Sequence, residues 1–259
     1  MRGYKIRALM FRDARILARS KWRFTEFFYF PVTTVIIWGL FALFSRNFSP
    51  EAGLMVLAVN MYWSFTYLAQ STTNMQMNED QWSGSFHQVM ASGFSPFEYL
   101  FARILTSTIT ASGVMAIMLL VSLGFGLTII VQQPGLVITL AAISLLGSIA
   151  LSVIVAGLIL VLGREYSFLA WTADQIFILL SAPLYPVAIL PGFLQAVAMV
   201  MPFTFVFEGV RSLVTAGVVA GPVLATALVA VLAYLAGSLP FYAWAFRRAK
   251  RNGTLARLF

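Results

Sequence analysis

Apolar residues in this chain are gathered into runs of about 20 residues, and short polar stretches separate the runs. An α-helix of that length crosses the hydrocarbon core of a bilayer, which is about 30 Å thick. The period-two alternation typical of a membrane β-barrel is not seen in the sequence. We therefore predict an all-α integral membrane fold with six transmembrane helices, near residues 27–44, 52–72, 100–131, 136–162, 167–190 and 221–246.

The segment 1–24, before the first apolar run, is strongly basic and has the pattern of an amphipathic helix. One helical face carries four basic residues and another carries apolar residues, although Asp13 interrupts the apolar face. A helix of this kind lies in the headgroup plane of a membrane. A plain basic flank to the first span is the alternative. The residues of the predicted basic face are Lys5, Arg12, Arg15 and Arg19.

An apolar segment over residues 183–217, between the fifth and sixth predicted spans, is broken by four prolines, two of which are Pro191 and Pro202. The runs between the prolines are too short to cross a bilayer. We predict an external re-entrant hairpin of two short helices, residues 192–200 and 203–213, with backbone groups satisfied by neighbouring helices. A seventh span here is the alternative, but it would place the basic C-terminal tail outside. Glu208 and Arg211 are spaced to pair across one helical turn.

The distribution of charge orients the predicted spans. With six spans and both termini in the cytoplasm, every Lys and Arg except Arg46 and Arg211 lies on the cytoplasmic side, as the positive-inside rule requires. The net charge of +8 then favours contact with anionic lipid over nucleic acid. We predict a multi-pass protein of the inner (cytoplasmic) membrane, with residues 74–98 and 163–166 facing the cytoplasm.

Composition and motifs exclude several kinds of chemistry. Only 10% of the residues are charged and the mean hydropathy is +0.88, whereas soluble domains are about a quarter charged. The chain has no cysteine, a single histidine, and no phosphate-binding G-x-x-x-x-G-K-[ST] motif. Neither an H-E-x-x-H nor a G-x-S-x-G motif is present. We therefore expect no catalytic residue, no metal site and no cofactor bound by this chain.

Polar residues inside two predicted spans are candidates for a pathway through the membrane. The second span is dense in polar and aromatic residues, which either line a pathway or pack between helices. Asp174 in the fifth span is either part of a pathway or a carboxylate near the cytoplasmic interface, paired with Arg164. The candidate pathway residues are Asn60, Tyr62, Thr66, Gln70, Asp174 and Gln175.

The polar stretch 74–98 is a candidate docking element. It contains three of the nine acidic residues and the only histidine. Phe86, Val89 and Met90 follow helical spacing, as in a short amphipathic helix that docks into a groove of another protein. Packing of the same residues against the membrane surface is the alternative.

Three segments resemble the permease, or transmembrane, subunit of ABC-2 type exporters of the polysaccharide and drug exporter type. They are LMFRDARILARSKWRFTEFFYFP near the N-terminus, NEDQWSGSFHQVMASGFSPFEYLFAR in the middle, and PVAILPGFLQAVAMVMPFTFVFEGVRSLV after the fifth span. The resemblance covers nearly the whole chain. It implies one ABC-2 transmembrane domain over 1–259, divided into an interfacial connector helix (1–24), a six-helix membrane domain (27–246) and a basic cytoplasmic tail (247–259).

The resemblance also implies a mechanism. Two permease copies, most simply a homodimer, would surround a central path, and a separate ABC ATPase would bind ATP and Mg and push on cytoplasmic coupling helices. The connector helix would lie at the membrane surface and the hairpin would cap the path outside. The implied coupling residues are Glu79, Asp80, Trp82, Gly84, Ser85 and Phe86, with Arg164 and Glu165 as a second contact.

The sequence departs from the family pattern in two places. Gln-Trp-Ser-Gly-Ser follows the acidic pair where the family has a plain Gly-Thr step, and the loop between the first two spans is very short. A membrane enzyme or scaffold, or a secondary carrier, without an ATPase partner is the alternative function. The substrate, whether glycan, lipid or drug, stays open.

Overall fold

The computed structural model describes residues 3–252, apart from the side chains of Arg23, Glu26 and Phe27, so the tail beyond 252 lies outside the described residues. In this range the fold is helical, with a π-helical turn at Thr25–Tyr29 and 3₁₀ turns at Arg164–Tyr166 and Val187–Ile189. The α-helices are α1 (Gly3–Arg19), α2 (Lys21–Phe24), α3 (Phe30–Ser45), α4 (Pro50–Trp82), α5 (Ser85–Ala91), α6 (Pro96–Gly124), α7 (Ile129–Gln132), α8 (Pro134–Leu162), α9 (Leu169–Leu180), α10 (Gly192–Val200), α11 (Thr204–Ala216) and α12 (Gly221–Arg251).

Four helices, namely α4, α6, α8 and α12, are long and apolar enough to cross a membrane. The pair α10 and α11, which meet at 94°, would make a fifth crossing if they form one broken span. The helices α3 and α9 have 16 and 12 residues, which is shorter than the roughly 20 that a straight crossing needs. The all-helical, multi-pass architecture is confirmed, whereas the count of six spans and the re-entrant depth of the hairpin stay predictions.

The helix α4 continues for ten residues beyond the second predicted span, 52–72, and ends at Trp82. The residues after 72 are polar, but several are buried against other helices. The side-chain amide of Asn78 donates to the carbonyl of Ser167 at 2.9 Å. Hydropathy describes how polar a residue is, and it does not show where the backbone stops being helical. The chain leaves the helical direction at Gly84, which has a left-handed φ of 70°.

Two other predicted spans are longer than the helices that form. The fifth prediction, 167–190, becomes α9, which ends at Leu180, because Ala182 has a φ of 49° and Pro183 follows it. The third prediction, 100–131, becomes α6 and the short α7, separated by a turn that contains Gly126 at a φ of 92°. In both cases the run is apolar along its whole length, and one or two residues with particular backbone geometry end the helix within it.

The helix α8 lies at the centre of the membrane domain, packed against α12 on one side and α4 on another. Two of its glycines allow close approach of aromatic rings. A Cβ at Gly147 would lie 2.8 Å from the ring of Phe203, and one at Gly157 would lie 2.8 Å from the ring of Phe241. Small residues that admit a bulky neighbour are the usual means of helix packing in membranes.

The predicted hairpin after the fifth span forms two helices. The first, α10, has the predicted bounds, and the second, α11, begins at Thr204 and runs to Ala216. The guanidinium of Arg211 donates to the carbonyls of Ala182 and Pro183 at 2.7 and 2.9 Å. Arg211 therefore fastens α11 to the chain just after α9, and the predicted pair with Glu208 is not among the ion pairs of the described residues.

Candidate functional site

The basic face predicted for α1 is divided between solvent and protein. Arg15 and Arg19 are exposed, as a surface helix requires. Lys5 is buried instead, and its ammonium group donates to the carbonyl of Gly93 at 2.5 Å. On the apolar face, Ile6 and Leu9 join a hydrophobic cluster that also contains residues of α5, α6 and α12. One side of α1 is therefore packed onto the protein.

Asp13, which interrupts the apolar face of α1 in the sequence, pairs with Arg103 of α6. Asp13 Oδ2 lies 2.5 Å from Arg103 Nη1, and the two residues are 3% and 1% exposed. A buried charge is stable only when it is paired and hydrogen-bonded. Sequence reasoning did not select Arg103, although an isolated arginine near the start of a long apolar helix was a signal that it has a buried partner.

Asp80, near the end of α4, joins the same cluster and is only 5% exposed. One carboxylate oxygen accepts from Arg12 at 2.9 Å and from Ser85 at 2.9 Å. The other accepts from Tyr99 at 2.6 Å and also from Arg103. The Asp80 carboxylate therefore ties together α1, α4, α6 and the start of α5. We call Arg12, Asp13, Asp80, Tyr99 and Arg103 the ion cluster.

The short helix α5 is anchored next to the ion cluster by one aromatic contact. Phe86 is 2% exposed, and its ring meets that of Tyr99 edge-on, with ring centroids 5.2 Å apart. Trp82 and Ser83 before the turn, and His87 on α5, are exposed. The predicted coupling residues thus separate into buried anchors, Asp80 and Phe86, and an exposed surface.

A pocket of about 640 Å³ opens between α1 and the end of α4. Its walls include both members of the predicted acidic pair, Glu79 and Asp80, together with Trp82 and Arg12. The pocket presents carboxylates, a guanidinium and an indole within one concavity. Such a surface can accept a polar or charged group.

The second predicted contact, Arg164 and Glu165, lies in the exposed 3₁₀ turn between α8 and α9. It is joined to α4 through the hydrogen bond from Asn78 to Ser167, close to the end of that turn. The two predicted coupling elements are therefore connected through the last part of α4, which lies within the polar stretch 74–98.

A groove of about 470 Å³ runs beside the middle of α4 and contains part of the predicted pathway. Asn60 and Gln175 line it, and the indole N–H of Trp63 donates to the side-chain oxygen of Gln175 at 3.0 Å. None of the lining side chains that the structure describes is charged. The remaining lining residues are Trp22, Phe30, Pro31, Thr34, Ser64, Tyr67, Leu68, Ser71 and Met75.

Three predicted pathway residues, Tyr62, Thr66 and Gln70, lie on the other side of α4 and are at most 2% exposed. Tyr62 donates to the carbonyl of Val137 at 2.8 Å, and Gln70 donates to the carbonyl of Ala170 at 3.2 Å. In this conformation the three residues pack between helices and do not line the groove. Asp174 is also fully buried, and its carboxyl oxygens have no hydrogen-bond partner among the described residues, so the predicted pairing with the exposed Arg164 does not form.

The comparison with protein families gives one match. A family model described as "ABC-2 family transporter protein" matches residues 40–246, which is most of the chain. The chain belongs to the ABC-2 transporter family. A search of curated proteins finds no match.

The match to the ABC-2 family covers α4, α5 and the part of the groove formed by α4 and α9, and it begins after α1 and α2. An ABC-2 permease is a transport subunit and is not itself catalytic, and the family implies an ABC ATPase as a partner. The role of α1 therefore depends on the geometry of the ion cluster, because α1 lies outside the matched region.

Proposed function

We propose that this chain is the membrane-spanning permease subunit of an ABC exporter in the inner membrane, with both termini in the cytoplasm. A separate ATPase, which binds ATP and Mg, would dock on the surface formed by Trp82, Ser83 and α5. The observation that carries the proposal is the set of hydrogen bonds by which Asp80 joins α1, α4, α5 and α6. A force applied at this surface reaches all four helices together.

The helix α4 is suited to carry such a movement to the groove. It has 33 residues, which corresponds to about 50 Å at 1.5 Å per residue. From Leu54 to Trp82 it contains neither glycine nor proline, the residues at which helices usually kink. Trp82 at one end and Trp63 beside the groove therefore lie on one unbroken helix.

The groove is the proposed translocation surface. It combines aromatic faces with amide and hydroxyl groups, and a charged substrate would find no counter-ion among its described lining residues. Pairing of two copies about a two-fold axis, the commonest symmetry of soluble homo-oligomers, would bring two equivalent grooves into one path. Such a path suits an uncharged amphiphilic substrate of the glycan, lipid or drug classes.

Coupling is tested by co-expressing the chain with a candidate ATPase subunit and measuring copurification and vanadate-sensitive transport in proteoliposomes. Trp82→Ala removes an exposed docking side chain without disturbing a buried contact, so we expect weaker association and slower transport at unchanged thermal stability. Trp244→Ala, an equally exposed tryptophan on α12, is the matched control. Transport by the purified chain without any ATPase would overturn the proposal.

A further inference from the structure

Asp174 of α9 is a buried carboxyl group without a donor. The residue is 0% exposed, and neither of its carboxyl oxygens receives a hydrogen bond from the part of the chain that the structure describes. Among the other buried carboxylates of the described residues, Asp13 and Asp80 are each held by arginine, and Glu98 accepts from the backbone N–H of Ser95. Asp174 therefore has an environment that differs from that of the other buried acids.

Gln70 of α4 brings a second unsatisfied acceptor to the turn of α9 before Asp174. Its side-chain amide N–H donates to the carbonyl of Ala170, one helical turn before Asp174. Side chains on an α-helix point back toward its N-terminus, so the Asp174 carboxyl lies over the turn that contains Ala170. The side-chain oxygen of Gln70 has no donor among residues 3–252, and that of Asn74, one turn further along α4, has none either.

The helices packed on α9 offer no basic group to neutralise a carboxylate. They are chiefly α4, α8 and α10, and neither α8 nor α10 carries a titratable side chain. The acids of α4 lie at its ends, and its two phenols are engaged elsewhere, Tyr62 on Val137 and Tyr67 beside the groove. Among the described residues, α12 adds the phenol of Tyr234, whose ring contacts that of Phe177 on α9.

We propose that Asp174 and Gln70 form a proton-binding site within the membrane domain. One proton taken from water makes Asp174 a neutral carboxylic acid, and its O–H donates to the side-chain oxygen of Gln70. The single proton thus supplies a donor to a site built from acceptors, and no other reactant is needed. The proton returns to water when α9 separates from α4.

The position of the site connects it to the groove. Gln175, next to Asp174 in α9, accepts the hydrogen bond from Trp63 on the groove wall. Loss of the proton leaves a negative charge behind this wall with no partner, which favours hydration and movement of α9 away from α4. Protonation therefore keeps α9 packed on α4 as seen here.

Infrared spectroscopy of the full chain in nanodiscs tests the proposal directly, and it requires neither a substrate nor an ATPase. At neutral pH we expect the C=O band of one protonated carboxyl per chain, with a shift on exchange into D₂O. The band should disappear in Asp174→Asn and persist in Glu51→Gln, which alters an exposed acid at the start of α4. Gln70→Leu keeps the acid but removes its acceptor, so the band should shift in frequency.

The outcomes separate a proton from a metal cation and from the proposed transport function. Absence of the band in the unaltered protein, or its persistence in Asp174→Asn, overturns the proton site. Stabilisation by sodium at fixed pH that is lost in Asp174→Asn, without a carboxylic-acid band, identifies a sodium site and also overturns it. None of these readouts depends on transport, so failure of the exporter proposal would leave them unchanged.

Discussion

Asp13 on α1 and Arg103 on α6 form a buried ion pair, with 2.5 Å between carboxylate and guanidinium, although the residues are 90 positions apart in the chain. The pair holds α1 against α6. Arg103 also pairs with Asp80, so the same guanidinium holds the end of α4.

Replacing Arg103 by methionine should destabilise the protein strongly. The change keeps most of the side-chain volume but leaves Asp13 and Asp80 buried with only Arg12 as a cation. Removing one partner of a buried ion pair costs about 3–5 kcal/mol. Thermal unfolding in detergent measures the loss, with the exposed Arg15→Met on α1 as control. Equal stability of the two variants would show that the ion cluster does not hold α1.

Gly53→Ala should loosen the packing of α3 against α4. A Cβ at Gly53 would lie 2.8 Å from the Cα of Ala42 and closer still to the hydroxyl of Ser45. Because a backbone atom cannot move aside as a side chain can, overpacking should cost about 1–3 kcal/mol. Gly237→Ala in α12 is the matched control, since nothing lies within 4 Å of its Cβ. We expect that change to be neutral or stabilising by up to about 1 kcal/mol.

The hydrogen bond between Trp63 and Gln175 should appear as a coupling energy. Trp63→Phe removes the donor and Gln175→Leu removes the acceptor, so the double variant should lose less stability than the sum of the two single variants. A coupling of about 0.5–1.5 kcal/mol is expected for one hydrogen bond. Chemical unfolding of the four proteins measures it. The pair Trp63→Phe and Gln132→Leu, with the glutamine at an exposed position, should be additive.

Arg211→Met should release the segment between α9 and α10. The carbonyls of Ala182 and Pro183 lose their charged donor, and a lost hydrogen bond to a charged group costs about 1.5–3 kcal/mol. Hydrogen exchange of the amides in 181–191 should become faster, while exchange in α8 stays slow. Arg247→Met, an exposed change on α12, is the control. Unchanged exchange in 181–191 would contradict the fastening role of Arg211.

Several parts of the fold could be predicted from the local sequence pattern. The amphipathic helix at the N-terminus, the long apolar helices and the first hairpin helix were predicted because periodicity and proline placement act over a few residues. The family was also predicted, from three motifs in the expected order, and the match over residues 40–246 confirms it.

The arrangement of the candidate site was harder to predict from the sequence, for two reasons. Hydropathy placed the end of α4 ten residues too early because polarity in that region reflects burial against other helices, as at Asn78. The face of α4 that lines the groove could not be chosen either, since Asn60 and Tyr62 are both polar and differ only in what lies opposite them.

The sequence by itself determined that the chain is a helical membrane protein of the ABC-2 family, because apolar run length, charge asymmetry and motif order are properties of the linear chain. Tertiary structure decided why Asp13 lies on an apolar face, which polar residues of α4 meet the groove, and that Asp174 has no donor among the described residues. The physical reason is that charge pairing and burial depend on contacts between residues far apart in the chain. Arg103, which joins Asp13 to Asp80, is the clearest example.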